Sequence, residues 1–300
     1  MDQMIEKYSV RTDLALEEKE RFESDNVEIS GVVLEEDYDE TLEIRITRVK
    51  IETENGAKAM GKPAGVYLTL EAPNLAVPDE DYHREISEKL ADHMEELLHE
   101  NHLTGRDISV LVVGLGNRQV TPDALGPYVV DNLCVTRHIV REYGKYAMGK
   151  DRVDPLSAIV PGVMGQTGME TVEIIRGVVK ETKPDVVIAV DALAARNSKR
   201  LNRTIQLSDT GINPGSGVGN HRNAITKDTV GVPVIAIGVP TVVDAATTVR
   251  DAVESLIRAM EPSDTLTAEG VALQGSTAAD KYAQVQEMIT HPLNGMIDTQ

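Results

Sequence analysis

DVVIAVDAL (residues 185–193) is one of four nearly continuous apolar runs in this chain; the others are ISVLVVGL (108–115), SAIVPGVM (157–164) and PVIAIGVP (233–240). Strands that are apolar on both faces are typical of a parallel sheet covered by helices on both sides. Helical patterns separate the runs, at 124–143, 168–183 and 244–260. This alternation predicts an α/β fold with a doubly wound, mostly parallel sheet.

The chain before these runs has a different pattern. Apolar and polar residues alternate in VEISGVVL and TLEIRITRVKI, between Val27 and Ile51, and the acidic segment EEDYDE separates the two stretches. This predicts a β-hairpin, and residues 65–71 predict another short, half-exposed strand. We expect these strands to extend one edge of the sheet in antiparallel fashion. Apolar spacing predicts a helix from Asp81 to about His102.

The composition excludes several classes of protein. The 300 residues include 30 Lys and Arg and 49 Asp and Glu, a formal charge of −19, which argues against a protein that grips nucleic acid or an anionic membrane. With no Trp and one Phe, a base-stacking surface is not expected. The single cysteine, Cys134, allows no internal disulfide or cysteine metal cluster, and we expect it to be buried.

The sequence predicts neither a membrane-spanning helix nor a signal peptide. No apolar run approaches the roughly 18 residues of a membrane-spanning helix. The first residues show no apolar core of a signal peptide, so we expect an intracellular protein. Residues 1–26 are acidic and poor in apolar residues, which predicts an exposed arm that is mobile or loosely docked.

Three aspartates lie at or beyond the carboxyl ends of the apolar runs, where the functional residues of an open α/β sheet are usually found. Asp123 and Asp244 each precede a predicted helix and also fit the common role of a helix N-cap. Asp191 lies inside an apolar run, where a charge needs a partner, a metal or an altered pKa. Two carboxyl groups at one rim could activate water for peptide hydrolysis. They could instead bind a divalent cation if His221 supplied a third ligand.

Other catalytic templates fit poorly. GLGNRQ (114–119) lacks the third glycine of a dinucleotide motif, and the chain has neither a GxxxxGK[ST] loop nor a GxSxG elbow. The glycine-rich segment 213–220 could cradle a phosphate, which leaves a non-catalytic small-molecule-binding α/β protein as an alternative. Asp209 begins an Asp-Thr-Gly triplet, which we interpret as a polar turn.

A basic cluster follows Asp191 in this acidic chain. It is either a solvated surface or a pocket for an acidic substrate side chain. Its members are Arg196, Lys199, Arg200, Arg203 and Arg222.

Several long motifs closely resemble the germination proteases of spore-forming bacteria. The resemblance reaches about residue 260. It is carried by YSVRTDLALE (8–17), VGLGNRQVTPDALGP (113–127), PGVMGQTGMET (161–171), AVDALAARNSKRLNRTIQLSDTGINPGSGVGNHRN (189–223) and GVPVIAIGVPTVVDA (231–245).

The resemblance implies an atypical aspartic endopeptidase that degrades small acid-soluble spore proteins during germination. The family's two essential aspartates match Asp123 and Asp191, and no cofactor or metal is expected. The fold would be similar to that of hydrogenase maturation proteases, in which the matching acids bind metal, so a metal-dependent peptidase using the same acids remains an alternative. The family also implies a homotetramer in the cytoplasm of the forespore or spore core, without nucleic-acid or membrane partners.

The resemblance further implies a zymogen that removes its own propeptide. The family cuts after an acid and before a bulky apolar residue followed by Ala, which matches Asp13, Leu14 and Ala15. We therefore predict a propeptide of residues 1–13, a cut between Asp13 and Leu14, and a single α/β peptidase domain over 14–300. One of Arg196, Arg200, Arg203 and Arg222 would bind the acid before the cut.

Overall fold

The computed structural model describes residues 12–24, 29–103, 108–149, 152–215, 223–245 and 247–249. The chain divides into two compact units, Met1–Asp244 and Ala245–Gln300. The sheet and the candidate site belong to the first unit. Most of the predicted helix at 244–260 lies outside the described residues.

The first unit is built on one eight-stranded mixed sheet, in the order β1-β2-β3-β7-β8-β6-β4-β5. Its strands are β1 (Val32–Asp39), β2 (Ile44–Ile51), β3 (Gly65–Glu71), β4 (Val110–Gly114), β5 (Leu156–Ile159), β6 (Val186–Ala195), β7 (Thr204–Ser208) and β8 (Val234–Val243).

The helices vary in length from one turn to six. They are α1 (Ala15–Ser24), α2 (Glu54–Met60), α3 (Glu80–Glu100), α4 (Leu125–Asp131), α5 (Arg137–Tyr143), α6 (Met164–Thr167), α7 (Thr171–Thr182) and α8 (Lys227–Val230). Three short 3₁₀ turns lie at Pro73–Ala76, Thr121–Asp123 and Ser198–Arg200. No helix of the described ranges has the length and apolar character needed to cross a membrane.

The four apolar runs form the parallel half of the sheet, as predicted. Strands β5, β4, β6 and β8 are neighbours, and each adjacent pair among them is parallel. Helix α7 packs on one face, where Val172, Ile175 and Val179 join a buried cluster with β4 and β6. Helix α3 packs on the other face through Ile86 and Leu97. Both faces are covered, which is why these strands carry apolar residues throughout.

The antiparallel half is larger than the predicted hairpin. Strands β1, β2 and β3 pair antiparallel in sequence order, and β7 then joins β3 to β8 with antiparallel pairing on both sides. Strand β7 was not predicted, since Thr204, Gln206 and Ser208 interrupt its apolar pattern. Strand β3 is therefore an inner strand with five consecutive buried residues, and not half-exposed as expected.

Two further local predictions were wrong. The helix predicted at 124–143 is split into α4 and α5, because Thr136 is tied to the start of β5. Its hydroxyl donates to the Asp154 carbonyl at 2.6 Å and accepts from the Leu156 amide at 2.9 Å. Cys134 lies in the connection between the two helices and is exposed, not buried.

Residues 1–26 were predicted to form an exposed arm, and the structure differs most from the prediction here. In its described part, Leu14, Ala15 and Glu17 are completely buried and Leu16 is 3% exposed. Ala15 packs with Val49 and Met60 in one apolar cluster, while Leu14 joins another beside β6. The acidic composition was misleading because the buried Glu17 carboxylate is fully engaged by hydrogen bonds within the protein.

Helix α4 approaches the sheet at backbone contact distance. A Cβ added to Gly126 would lie 2.4 Å from the Leu115 amide nitrogen and 2.5 Å from the Val190 carbonyl oxygen. A Cβ on Gly114 would lie 2.2 Å from the Gly126 carbonyl oxygen. The glycines of this region therefore serve close packing of helix on strand.

We predict that Gly126→Ala lowers the free energy of unfolding by about 1–3 kcal/mol, because the methyl group would push α4 away from β4 and β6. Gly177→Ala is the matched control. Gly177 lies in α7 with nothing near its Cβ position, so this change should stabilise the protein by about 0.5–1 kcal/mol. Urea unfolding of both variants checks the prediction, and equal effects would contradict it.

Candidate active site

Asp191 and Gln206 lie in one row across the centre of the sheet. In the pairing of β6, β8 and β7, Asp191 is opposite Gly238, and Gly238 is opposite Gln206. Directly paired residues point to the same face, so the two side chains lie on one face about 10 Å apart across two strand spacings. Both are nearly buried, at 5% and 8% exposure. Because Gly238 has no side chain, it adds no polar or charged group between them.

Asp123 is held by the loop that follows β4. Its side chain accepts a hydrogen bond from the Asn117 amide at 2.9 Å. Gly116 has φ +109°, and a Cβ there would lie 2.0 Å from the Asp123 carbonyl oxygen. The Thr241 hydroxyl, beyond the middle of β8, donates to the Pro122 carbonyl at 2.6 Å. The Gly-Leu-Gly-Asn segment thus positions an acid, which explains its glycines without a dinucleotide.

Asp123 and Asp191 line the same cavity, together with Asp13. The prediction that the carboxyl ends of β4 and β6 bring the two acids to one rim therefore agrees with the geometry. A second cavity adjoins Asp191 and Asp13 and is also lined by Lys62 and Gln206. Asp244, the third aspartate at this rim, is exposed and lines neither cavity.

Asp13 lies between the two cavities and is bound to the end of β6. The Asp13 amide donates to the Ala194 carbonyl at 2.9 Å, and its carboxylate accepts from the Ala194 amide at 2.9 Å. The pairing of β6 with β8 is interrupted by a bulge between Leu193 and Ala194. Bulges often present backbone groups next to active sites. Here the bulge adjoins the contact with Asp13.

The peptide between Asp13 and Leu14 is held on both sides. Lys62 Nζ donates to the Asp13 carbonyl oxygen at 2.9 Å, and Gln206 Nε2 donates to the same oxygen at 3.3 Å. Gln206 Oε1 accepts from the Ala15 amide at 2.8 Å. Leu14 packs with Leu193 and other apolar residues. Neither Lys62 nor Gln206 was predicted as a site residue, because neither belongs to a recognisable catalytic or binding motif.

The amino-terminal segment of residues 12–17 is anchored by the buried carboxylate of Glu17. It accepts hydrogen bonds from the amides of Arg196 at 2.6 Å and Asn197 at 3.0 Å, and from the Thr12 hydroxyl. Arg200 donates to it at 3.2 Å and also binds Glu20 at 2.6 Å and Glu71 at 2.8 Å. Burial acts to lower the pKa of Arg200, but its bond to Glu20 and the charges of Glu71 and Glu20 raise it overall.

The predicted acid-binding arginines differ in their placement. Arg200 binds three carboxylates of this chain, none of which is that of Asp13. Arg196 is half-buried and contributes its backbone amide to Glu17, whereas Arg203 is exposed. Arg222 lies outside the described residues, and so does His221, the candidate third metal ligand.

Two other predictions can be placed. Asp209 of the Asp-Thr-Gly triplet accepts from the Val66 amide at 2.8 Å and forms a polar turn, as interpreted. Most of the glycine-rich segment lies outside the described residues, although Pro214 and Gly215 line the cavity with Asp123. Within the described ranges, no group of three or more His, Cys, Asp and Glu side chains is arranged to hold a metal ion.

We predict that Glu17→Ala destabilises the protein by about 3 kcal/mol or more, because it leaves the partly buried amides of Arg196 and Asn197 unpaired and removes one partner of the buried Arg200. Glu88→Ala, on the exposed face of α3, is the control and should change stability by less than about 0.5 kcal/mol. Chemical denaturation of both variants measures the difference. An unchanged midpoint for Glu17→Ala would show that Glu17 does not anchor the segment.

Comparison with known proteins identifies the family. Residues 10–273 match the family model of the germination proteases, peptidase family A25. A germination protease of Caldanaerobacter subterraneus is 48% identical over 99% of this chain and 89% of its own length. Those of Bacillus cytotoxicus and Bacillus subtilis are 48% identical over 78% of this chain, and the match spans 63% of their length. The chain belongs to the germination protease family.

Proposed function

We propose that this chain is an endopeptidase zymogen that cleaves itself between Asp13 and Leu14 and then degrades small acid-soluble spore proteins. Asp123 and Asp191 would be the catalytic pair. Membership of the germination protease family supports a peptidase. The substrate class, the spore-core location and a homotetramer belong to the same proposal and rest on the family resemblance.

One observation carries the proposal. The Asp13–Leu14 peptide lies beside the cavity that Asp123 and Asp191 line, and Asp13 itself forms part of the cavity wall. The segment is bound to the end of β6 by one backbone hydrogen bond, from the Asp13 amide to the Ala194 carbonyl, and by a second bond from the Ala194 amide to the Asp13 carboxylate. Because Asp13 lines the same cavity as the two acids, the arrangement supports cleavage within the chain.

The proposed reaction needs a base, an acid and one water molecule. One aspartate carboxylate accepts a proton from water as the water oxygen bonds to the Asp13 carbonyl carbon. The tetrahedral intermediate then breaks its bond to the Leu14 nitrogen, which takes a proton from an aspartic acid. The products are a carboxyl group on Asp13 and an amine on Leu14. Two neighbouring carboxyl groups share protons as a pair, so neither role is assigned to one residue.

We predict that Asp123→Asn and Asp191→Asn each slow self-cleavage by about 10²–10⁴-fold, because an amide can neither accept the proton nor return it. Mass spectrometry of the full chain measures the loss of residues 1–13 and the new amino terminus at Leu14. The same variants should lose digestion of a small acid-soluble spore protein added to the reaction.

Asp244→Asn is the matched control for these variants. It makes the same change at an exposed aspartate of the same rim that lines neither cavity, so its cleavage rate should equal that of the unaltered chain. Cleavage at the normal rate in Asp191→Asn would refute the proposed catalytic pair. A chain that keeps residues 1–13 under every activating condition would refute self-processing.

We predict that cleavage persists after exhaustive chelation, because the proposed reaction uses two carboxyl groups and no metal ion. The cleavage rate is measured before and after treatment with a strong chelator, and again after single divalent metals are added back. Loss of activity that one metal restores would instead support the metal-dependent alternative, with Asp123 and Asp191 as ligands.

A further inference from the structure

We infer that Lys62 and Gln206 form the site that stabilises the oxyanion during peptide cleavage. The inference deepens the proposed function and rests on it. The Asp13 carbonyl oxygen becomes the oxyanion when water adds to its carbon. That oxygen accepts hydrogen bonds from Lys62 Nζ at 2.9 Å and Gln206 Nε2 at 3.3 Å. Donors directed at this oxygen stabilise the developing negative charge more strongly than the neutral carbonyl.

Lys62 is positioned by the end of helix α2. Gly61 caps the helix in the left-handed conformation at φ 60°, and the Lys62 amide donates to the Ala57 carbonyl at 3.2 Å. The next residue, Pro63, accepts from the Tyr67 hydroxyl at 2.9 Å, and Tyr67 accepts from Thr210. This cap and hydrogen-bond network fix the backbone from which the ammonium group reaches the peptide.

The Lys62 side chain is buried and lies among negatively charged carboxylates. Burial lowers its pKa, and the negative charges of nearby carboxylates oppose this change. The carboxylates belong to Asp13, Glu18 and Glu17. Nζ carries N–H groups in both the ammonium and the amine form, so Lys62 can donate to the oxyanion in either state.

Gln206 also positions the peptide, because its side-chain amide contacts the backbone at two points. It lies on the inner strand β7 in the same row as Asp191, and its Oε1 accepts from the Ala15 amide at 2.8 Å. The Gln206 side-chain amide thus contacts both the carbonyl oxygen of the scissile peptide and the backbone amide of Ala15, the second residue after the cut. This double contact sets the position of the peptide relative to Asp191.

The test measures self-cleavage of the full chain carrying Lys62→Met or Gln206→Glu. We expect each to slow cleavage by about 10²–10³-fold, because each removes a donor to the oxyanion. Gln206→Glu keeps an acceptor for the Ala15 amide. Lys58→Met, one turn earlier at an exposed position of α2, removes the same charge and should leave the rate unchanged.

A second measurement separates this role from simple anchoring of the segment. Hydrogen exchange of the Asp13 and Ala15 amides is followed with Asp191→Asn present, so that the chain stays intact. Slow cleavage with unchanged protection of both amides supports the oxyanion site. Slow cleavage with matching loss of protection would assign only an anchoring role and overturn the inference, as would cleavage at the normal rate in Lys62→Met.

These outcomes are distinct from failure of the proposed function. If the unaltered chain does not cleave itself, or Asp191→Asn cleaves normally, the proposed function fails and the oxyanion site fails with it. If the unaltered chain cleaves in an Asp191-dependent manner while Lys62→Met cleaves equally fast, only the oxyanion site is refuted.

Discussion

The buried carboxylate of Glu17 is the interaction on which the arrangement of the site depends. Its bonds to Arg200 and to the amides of Arg196 and Asn197 join the amino-terminal segment to the chain that leaves β6. A buried charge is tolerated only when it is well paired, so this contact requires both partners to be in place. When Glu17 makes these bonds, Asp13 and Leu14 lie at the end of β6, the strand that carries Asp191.

The sheet provides the second constraint. Its parallel half ends at one rim with Asp191 on β6 and Asp123 in the turn after β4, while the antiparallel half contributes Gln206 from β7. The candidate site therefore lies where the two halves meet, at β8 and its neighbours. Lys62 reaches the same place from α2, which follows β2. Residues far apart in the chain converge because adjacent strands are only about 5 Å apart.

The parallel strands and the two candidate acids could be predicted from the sequence, but the residues that surround the acids could not. The apolar runs predicted β4, β5, β6 and β8 because both faces of those strands are buried. Strand β7 was missed because Gln206 and its polar neighbours face the site and break the apolar pattern. Residues 14–17, part of the segment predicted to be exposed, are buried, since composition does not reveal that Glu17 has a buried partner in Arg200. Of the four arginines expected to include a binder of the acid before the cut, Arg200 pairs with other carboxylates of the chain, and Arg222 lies outside the described residues.

The sequence by itself determined the α/β class, the membership of the germination proteases and the candidate acids, because strand burial and long motifs are local properties of the chain. Only the tertiary structure decided which groups surround the Asp13–Leu14 peptide. Lys62, Gln206 and Ala194 contact Asp13 from positions 49 to 193 residues away. Such contacts depend on strand order, a bulge and a helix cap acting together, and no local pattern in the chain encodes that combination.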